Sequence, residues 1–260
     1  MNSNQELAGQ IVLVTGGAQG VGRGISECFL QAGAHVIVCG RKTPPSLPQA
    51  QEGRSAQFIA CDVTDTDATQ AMLADIVALH GRLDVLVNNA GGTPFAYAAD
   101  GSPRFHQSIL RLNLVAPLTL AIQANAIMQQ QEGGGVVEFI GSIAATRAQP
   151  GTATYAAAKA GILSLTSSLA IEWAPKVRVV AVSPGLVETE QSTLHYGDAA
   201  GVAAVAATIP ARRLAKPQDI GDACVFMASP RASYISGTSL LVHGGGEQPG
   251  FLSVASVNKG

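Results

Sequence analysis

The sequence predicts a single doubly wound α/β domain on a seven-stranded parallel sheet, with both faces covered by helices. Three observations lead there. Strand-like runs rich in Val, Ile and Leu alternate with helical patterns almost to the end of the chain. The runs are near-continuous in apolar residues, as expected of parallel strands buried on both faces. A glycine-rich turn stands directly between the first run and the first helix, the arrangement of a βαβ unit. The 260 residues suffice for one large core, and no composition break or linker divides them.

In chain order, the strands are expected at 11–15, 35–39, 57–61, 85–88, 136–141, 177–182 and 239–242. The first, IVLVT, and the sixth, VRVVAV, show the pattern most plainly. Helices are expected at 21–32, 67–80, 103–131, 154–173 and 217–228. The Pro-rich stretch 44–48 reads as a loop inside the unit, and Ala-rich 198–208, between Pro184 and Pro210, as a helical insertion. Residues 1–260 therefore form one domain, with 1–8 a flexible start, 188–210 a lid over the substrate and 247–260 a tail.

Composition narrows the function. Hydrophobic residues are 47% and charged residues 13%, about half the usual charged share of a soluble domain. Aromatics are 5%, so the apolar mass is mostly aliphatic, which excludes an intrinsically disordered chain. A net charge of −2 lacks the basic balance of a nucleic-acid binder. The four cysteines, Cys28, Cys39, Cys61 and Cys224, form no CxxC pair, and no histidine stands beside them at zinc spacing, so no metal is expected. The first ten residues carry no apolar h-region, and no uncharged apolar stretch of membrane-spanning length follows. A cytoplasmic protein with no membrane partner is expected.

The turn after the first strand reads Thr15-Gly16-Gly17-Ala18-Gln19-Gly20-Val21-Gly22. Residues without Cβ allow unusual φ angles and let the backbone approach a pyrophosphate, while the helix N-terminus supplies free N–H groups and a positive dipole end. The spacing of Gly16, Gly20 and Gly22 resembles the TGxxxGxG motif of the short-chain dehydrogenase/reductase family. Further matches follow in order. Asn88-Asn89-Ala90-Gly91 resembles that family's NNAG motif, and Asn113 its helix asparagine. Ser142 with Tyr155-Ala156-Ala157-Ala158-Lys159 resembles the catalytic serine and YxxxK. The segment from Ser183 through Pro184, Gly185, Leu186, Val187 and Glu188 to Thr189 is similar to the family's PG segment. The resemblance spans about residues 9–246, extends to 3-oxoacyl-acyl-carrier-protein reductase-like members, and implies a Rossmann-type fold and an enzyme using a nicotinamide cofactor.

Which dinucleotide binds is decided near the end of the second strand. An acid there would accept the ribose 2′-OH and repel a 2′-phosphate. This chain has Gly40 at that place and Arg41 next, and an arginine can take phosphate bidentately. NADP(H) is therefore favoured, with NAD(H) as the alternative, since Gln19 is not the basic residue many NADP-using members place in the glycine loop. The resemblance further implies that Asp62 and Val63 meet the adenine, that Asn89, Ala90 and Gly91 line the cofactor, and that Pro184, Gly185, Val187 and Thr189 reach the nicotinamide. Asp62 has a structural alternative, as the cap of the helix beginning near Thr66.

Tyr155 and Lys159, four apart in an Ala-rich helical segment, project from one helix face. A phenol with a reference pKa of about 10 is a poor acid or base near neutrality, and a neighbouring ammonium stabilises its phenolate. The resemblance makes Tyr155 the acid/base and gives Lys159 a second bond, to the nicotinamide ribose. Ser142 would bind the substrate oxygen and Asn113 a water linking Lys159 to solvent. None of the five histidines carries a catalytic expectation.

The expected reaction interconverts a ketone and a secondary alcohol. Its alternatives are an NAD-dependent dehydrogenase of a sterol, sugar or polyol, and a dinucleotide-binding sensor without turnover. Segments 93–97, 143–149 and 190–207 should line the small-molecule site. Phe95, Ile143, Leu194, Val202 and Val205 favour an apolar or acyl substrate, with Arg147, Gln149 and His195 as polar readers. The long helices 103–131 and 154–173 are nearly uncharged over much of their length. Outward-facing Ile109, Leu120 and Ala124 on one, with Ile162, Ser164 and Ser168 on the other, are expected to meet further copies. The last strand is a second contact, giving a homotetramer, or a dimer if one surface is used.

Overall fold

A computed structural model of the chain describes residues 5–51, 53–190, 192 and 196–256. Seven strands form one sheet: β1 (Ile11–Thr15), β2 (His35–Gly40), β3 (Gln57–Ala60), β4 (Val85–Asn88), β5 (Gly135–Ile140), β6 (Val177–Pro184) and β7 (Ser239–Val242). Their order is β3-β2-β1-β4-β5-β6-β7, and every pairing is parallel. The predicted strands are all present, with ends displaced by no more than two residues. The chain winds outward from β1 to β3, then returns to β4 and winds the other way. The loops after β1 and β4 therefore part and leave a crevice at the carboxyl ends of the strands. Val14 pairs with Val87, which brings Thr15 level with Asn88 at the floor of that crevice.

The helices are α1 (Gly20–Gln31), α2 (Thr66–His80), α3 (Pro103–Leu110), α4 (Ala116–Met128), α5 (Ala153–Trp173), α6 (Ala199–Thr208), α7 (Pro217–Ala228) and α8 (Gly250–Val254). Alternate residues of each central strand enter two separate cores, which is why the runs are apolar throughout. Val12, Val14, Val36 and Val38 pack with Ile25 and Phe29 of α1 and Ile220 of α7. Leu13, Ile37 and Leu86 pack with Leu73 of α2, Leu120 of α4 and Ile162 of α5.

Three expectations change. The segment expected over 103–131 is not one regular helix: a π-helical turn, Arg111–Val115, separates α3 from α4, and α4 ends at Met128. By length and composition Pro103–Met128 could cross a membrane. Leu120, Ala121, Ala124 and Met128 of this span are buried on the sheet. Ile109, Leu120, Ala124 and Ile162, expected to face outward, are buried, whereas Ser164 and Ser168 are exposed. Both helices are apolar nearly all round, so periodicity does not tell one face from the other. The outer face instead carries Val115, Ile122 and Ile171, all more than half exposed. Finally, the expected flexible start packs onto the domain at Leu7. Leu7 is fully buried and its N–H donates to Ala32 O at 3.0 Å, while residues 1–4 lie outside the described chain.

Candidate active site

The turn from β1 into α1 needs left-handed backbone at Gly16 (φ +62°) and Gly20 (φ +51°), which only glycine adopts without strain. The N-cap, Gln19, makes no side-chain cap, so the first-turn N–H groups of α1 keep no side-chain partner. They face the crevice, and an anion there would meet both the donors and the helix dipole. A cradle of this chemistry fits a pyrophosphate.

Thr15 joins this turn to the loop after β4. Its Oγ1 accepts from Asn89 N and Ala90 N, both at 2.9 Å, and Asn89 Nδ2 donates to Thr15 O at 2.8 Å. Gly91 continues the loop against the catalytic end. A Cβ on it would stand 2.7 Å from Asn113 Oδ1 and 3.6 Å from Lys159 Nζ. The glycine turn, the β4 loop and Lys159 are therefore in van der Waals continuity, although 143 positions separate Gly16 from Lys159 in sequence. Thr15 was not singled out from sequence, because a threonine ending a strand carries no signal until its partners are known.

At the far end of the crevice, Arg41 is exposed directly after β2 and Asp62 follows β3. Asp62 Oδ1 accepts from Thr64 N at 2.9 Å and Thr64 Oγ1 at 2.8 Å. The backbone bond from Thr64 is the main reason its carboxyl titrates below the usual range, with Arg41 and Arg111 adding attraction. The capping alternative for Asp62 is wrong: Asp65 caps α2, accepting from Asp67 N and Ala68 N. Val63 is half-buried beside it. Arg111, from the π-helical turn, donates to Thr64 O at 2.8 Å and is a second cation here that sequence reasoning missed.

Ser142, Tyr155 and Lys159 converge just beyond the carboxyl end of β5. Ser142 opens a 3-10 turn, Ile143–Ala145, and its Oγ accepts from Ala144 N at 3.1 Å. Tyr155 stands in the first turn of α5 and Lys159 one turn on, with Nζ 5.6 Å from the Tyr155 ring centroid. Lys159 is buried and donates to Ile140 O at 2.7 Å. Burial lowers its pKa to about 8. Burial also raises the Tyr155 phenol, and a hydrogen bond with Ser142 opposes that rise. Asn113 is fully buried in the π-helical turn. Its Nδ2 lies 2.9 Å from both Gly92 O and Ile109 O, and its Oδ1 accepts from Gly92 N at 2.8 Å. The side chain thus ties the β4 loop to the helix, a task the sequence does not reveal.

Beyond β6, Gly185 N donates to Val242 O at 2.9 Å, and a Cβ on Gly185 would meet His243 Cβ at 2.7 Å. Val187 bridges to Ala215. Thr189 then reaches back across the crevice, its Cγ2 3.7 Å from where a Cβ on Gly20 would be. The PG segment and the glycine turn therefore enclose one cleft from opposite sides. Of the expected pocket segments, Phe95 and Tyr97 are exposed beside the cleft, and α6 buries none of its residues. Arg147 pairs with Glu247 of the tail at 2.9 Å. Leu194 and His195 lie outside the described residues. Among the described residues, no group of three His, Cys, Asp or Glu side chains is placed to hold a metal.

Comparison with known proteins agrees with this geometry. A family model described as enoyl-(acyl carrier protein) reductase matches residues 16–247. The chain is 35% identical to dehydrogenase/reductase SDR family member 4 of Homo sapiens over 254 residues, covering 94% of this chain and 90% of that protein. It is 36% identical to the 3-oxoacyl-[acyl-carrier-protein] reductase of Escherichia coli over 241 residues, covering 91% and 97%. Among solved structures, the ligand-free aldohexose dehydrogenase of Thermoplasma acidophilum superposes with a TM-score of 0.86 at 29% identity, covering 97% of both chains.

Proposed function

The chain belongs to the short-chain dehydrogenase/reductase family, oxidoreductases of CH–OH or carbonyl groups with NAD(P) cofactors, and on that premise we propose that it interconverts a ketone and a secondary alcohol with NADP(H). The observation that carries the proposal is the convergence of Ser142, Tyr155 and Lys159 in a cleft shared with the glycine turn.

The bound dinucleotide supplies or accepts the hydride. Gly16, Gln19, Gly20, Val21 and Gly22 would hold its pyrophosphate, Arg41 a 2′-phosphate, and Asp62 with Val63 the adenine. Asn89, Ala90 and Gly91 would line its middle, while Pro184, Gly185, Val187 and Thr189 would orient its nicotinamide. In reduction Tyr155 gives its phenolic proton to the ketone oxygen, and in oxidation it takes that proton back. Ser142 Oγ donates to the same oxygen as charge develops there. The Ser142 hydrogen bond opposes the burial that raises the phenol, and Lys159, held by Ile140 O, would favour phenolate through its ammonium. Asn113 keeps the β4 loop seated over Lys159.

Gly40 in the place of the acid, with Arg41 following it, supports NADP(H) over NAD(H). Exposed Phe95 and Tyr97 beside the cleft support an apolar or acyl substrate. A sugar or polyol substrate is the second reading, favoured by the Arg147–Glu247 pair and by the aldohexose dehydrogenase likeness. Val115 at the end of the π-helical turn, Ile122 on α4, Ile171 on α5, and Leu240 and Leu241 on the edge strand support a homotetramer, with a dimer if one surface is used. Four free, buried thiols fit a cytoplasmic setting.

The test is turnover. NADPH should be oxidised with apolar or acyl ketones, followed by loss of nicotinamide absorbance. NAD-dependent oxidation of sugars without ketone reduction would replace the reading by the second one. Tight NADPH binding with no turnover on any substrate would make the protein a sensor.

A further inference from the structure

The loop between β4 and α3 carries Phe95 and Tyr97 to the side of the cleft where Tyr155 stands, and three contacts hold it there. Ala96 N donates to Gly151 O at 2.8 Å. The Phe95 ring lies on Gly151, where a Cβ would come within 2.1 Å of Phe95 Cε2. The third contact is made by His106, a half-buried residue in the first turn of α3. Its Nε2 is 3.1 Å from Ala98 O in the loop, and its Nδ1 is 2.6 Å from Thr154 Oγ1.

Chemistry assigns the directions of these bonds. A carbonyl oxygen only accepts, so Nε2 carries the proton and donates to Ala98 O. In the neutral ring Nδ1 is then bare, and the Thr154 hydroxyl donates to it. Gly101 closes over the imidazole, since a Cβ there would lie 2.6 Å from Nε2. Thr154 immediately precedes Tyr155, so the one imidazole joins the loop to the turn that carries the phenol.

We propose that His106 is a positioning residue that fixes the distance between the aromatic wall of the substrate cleft, residues 93–98, and the Tyr155 hydroxyl. Proton transfer requires the ketone oxygen within hydrogen-bond reach of the phenol, and displacement of about 1 Å can cost on the order of 100-fold in rate. The proposal rests on Tyr155 acting as the acid/base.

The experiment compares wild type with His106→Phe, which keeps a ring and removes both nitrogens, and with Thr154→Val, which keeps the shape and removes the hydroxyl. Both should lower kcat for ketone reduction by about tenfold or more, with the NADPH dissociation constant within about twofold of wild type. The double variant should be no slower than His106→Phe alone, because the two side chains act through one bond. Amide hydrogen exchange over 93–98 should accelerate in His106→Phe. Unchanged kcat and KM, additive losses in the double variant, or unchanged exchange would each overturn the proposal. If wild type reduces no ketone, the reading of Tyr155 fails, and exchange alone then decides whether the clamp exists. If His106→Phe does not fold, Thr154→Val carries both readouts.

Discussion

Lys159 Nζ lies 5.6 Å from the centre of the Tyr155 ring and donates its proton to Ile140 O, the last carbonyl of the central strand β5. Helix spacing alone puts the two side chains on one face. The strand carbonyl then fixes the ammonium beneath the ring, so sheet and helix together set the geometry of the pair. Burial pushes the two groups in opposite senses, the phenol up and the ammonium down to about 8, each toward its neutral form.

Tyr155→Phe should reduce kcat by about 100-fold or more, the usual scale of general acid catalysis, and leave NADPH affinity unchanged. The substitution removes the transferred proton and little else. Steady-state turnover with a reducible ketone, alongside a fluorescence titration of NADPH, checks both halves. Near wild-type turnover would remove Tyr155 from the mechanism.

Stability of the cofactor-free protein should fall as pH rises from about 4.5 toward 8. Glu138 is fully buried in β5, and neither carboxyl oxygen has a good hydrogen bond among the described residues. Desolvation raises its pKa from 4.5 to about 8, against smaller opposing effects of the Cys224 thiol and Arg178. Between those values the folded state binds more protons than the unfolded state, so stability falls as pH rises. Lys159 acts in the opposite sense. Its folded pKa is about 8 against 10.5, so its own contribution rises across that higher window, where the burial-raised thiols of Cys28, Cys39 and Cys224 pull the other way. Glu138→Gln should flatten the fall in urea denaturation series. An unaltered slope in that variant would show that Glu138 does not cause the fall.

Arg41→Ala should weaken NADPH by about 1–3 kcal/mol, the scale for a lost charged hydrogen bond, and leave NADH nearly untouched. Calorimetric titration of both cofactors separates the cases. Equal losses would mean that Arg41 does not read the 2′-phosphate.

Thr15→Val should destabilise the fold by about 1–3 kcal/mol, because Asn89 N and Ala90 N lose their acceptor in a partly buried site. Cofactor affinity should fall with it, since the same oxygen aligns the β4 loop with the glycine turn. Chemical denaturation and NADPH titration on the one variant measure the two effects. Unchanged stability would mean that water replaces the hydroxyl at no cost.

Ile122→Glu, on the outer face of α4, should lower the assembly mass with little effect on the monomer fold, because the side chain is about half exposed in the single chain. Light scattering coupled to size exclusion reads the mass directly. A wild-type protein already at the mass of one chain would refute the tetramer.

The strands, the glycine turn and the Tyr155–Lys159 pair were legible in sequence because each is a local pattern. A parallel strand covered on both faces must be apolar throughout, the turn needs glycine where φ is positive, and four residues make one helical turn. What could not be read is whatever depends on the partner across space. Helices apolar all round conceal which face meets the sheet, so Leu120, expected to face outward, is buried, while Ile122 is half exposed. Thr15, Arg111 and His106 gained theirs only when loops from distant parts of the chain met. The sequence by itself determined the order of the elements and the residue types gathered at the carboxyl edge of the sheet. The folded chain alone decided which polar groups lie buried, which loop each holds, and how far burial displaces Glu138 and Lys159, because hydrogen bonding and desolvation are properties of surroundings and not of residue type.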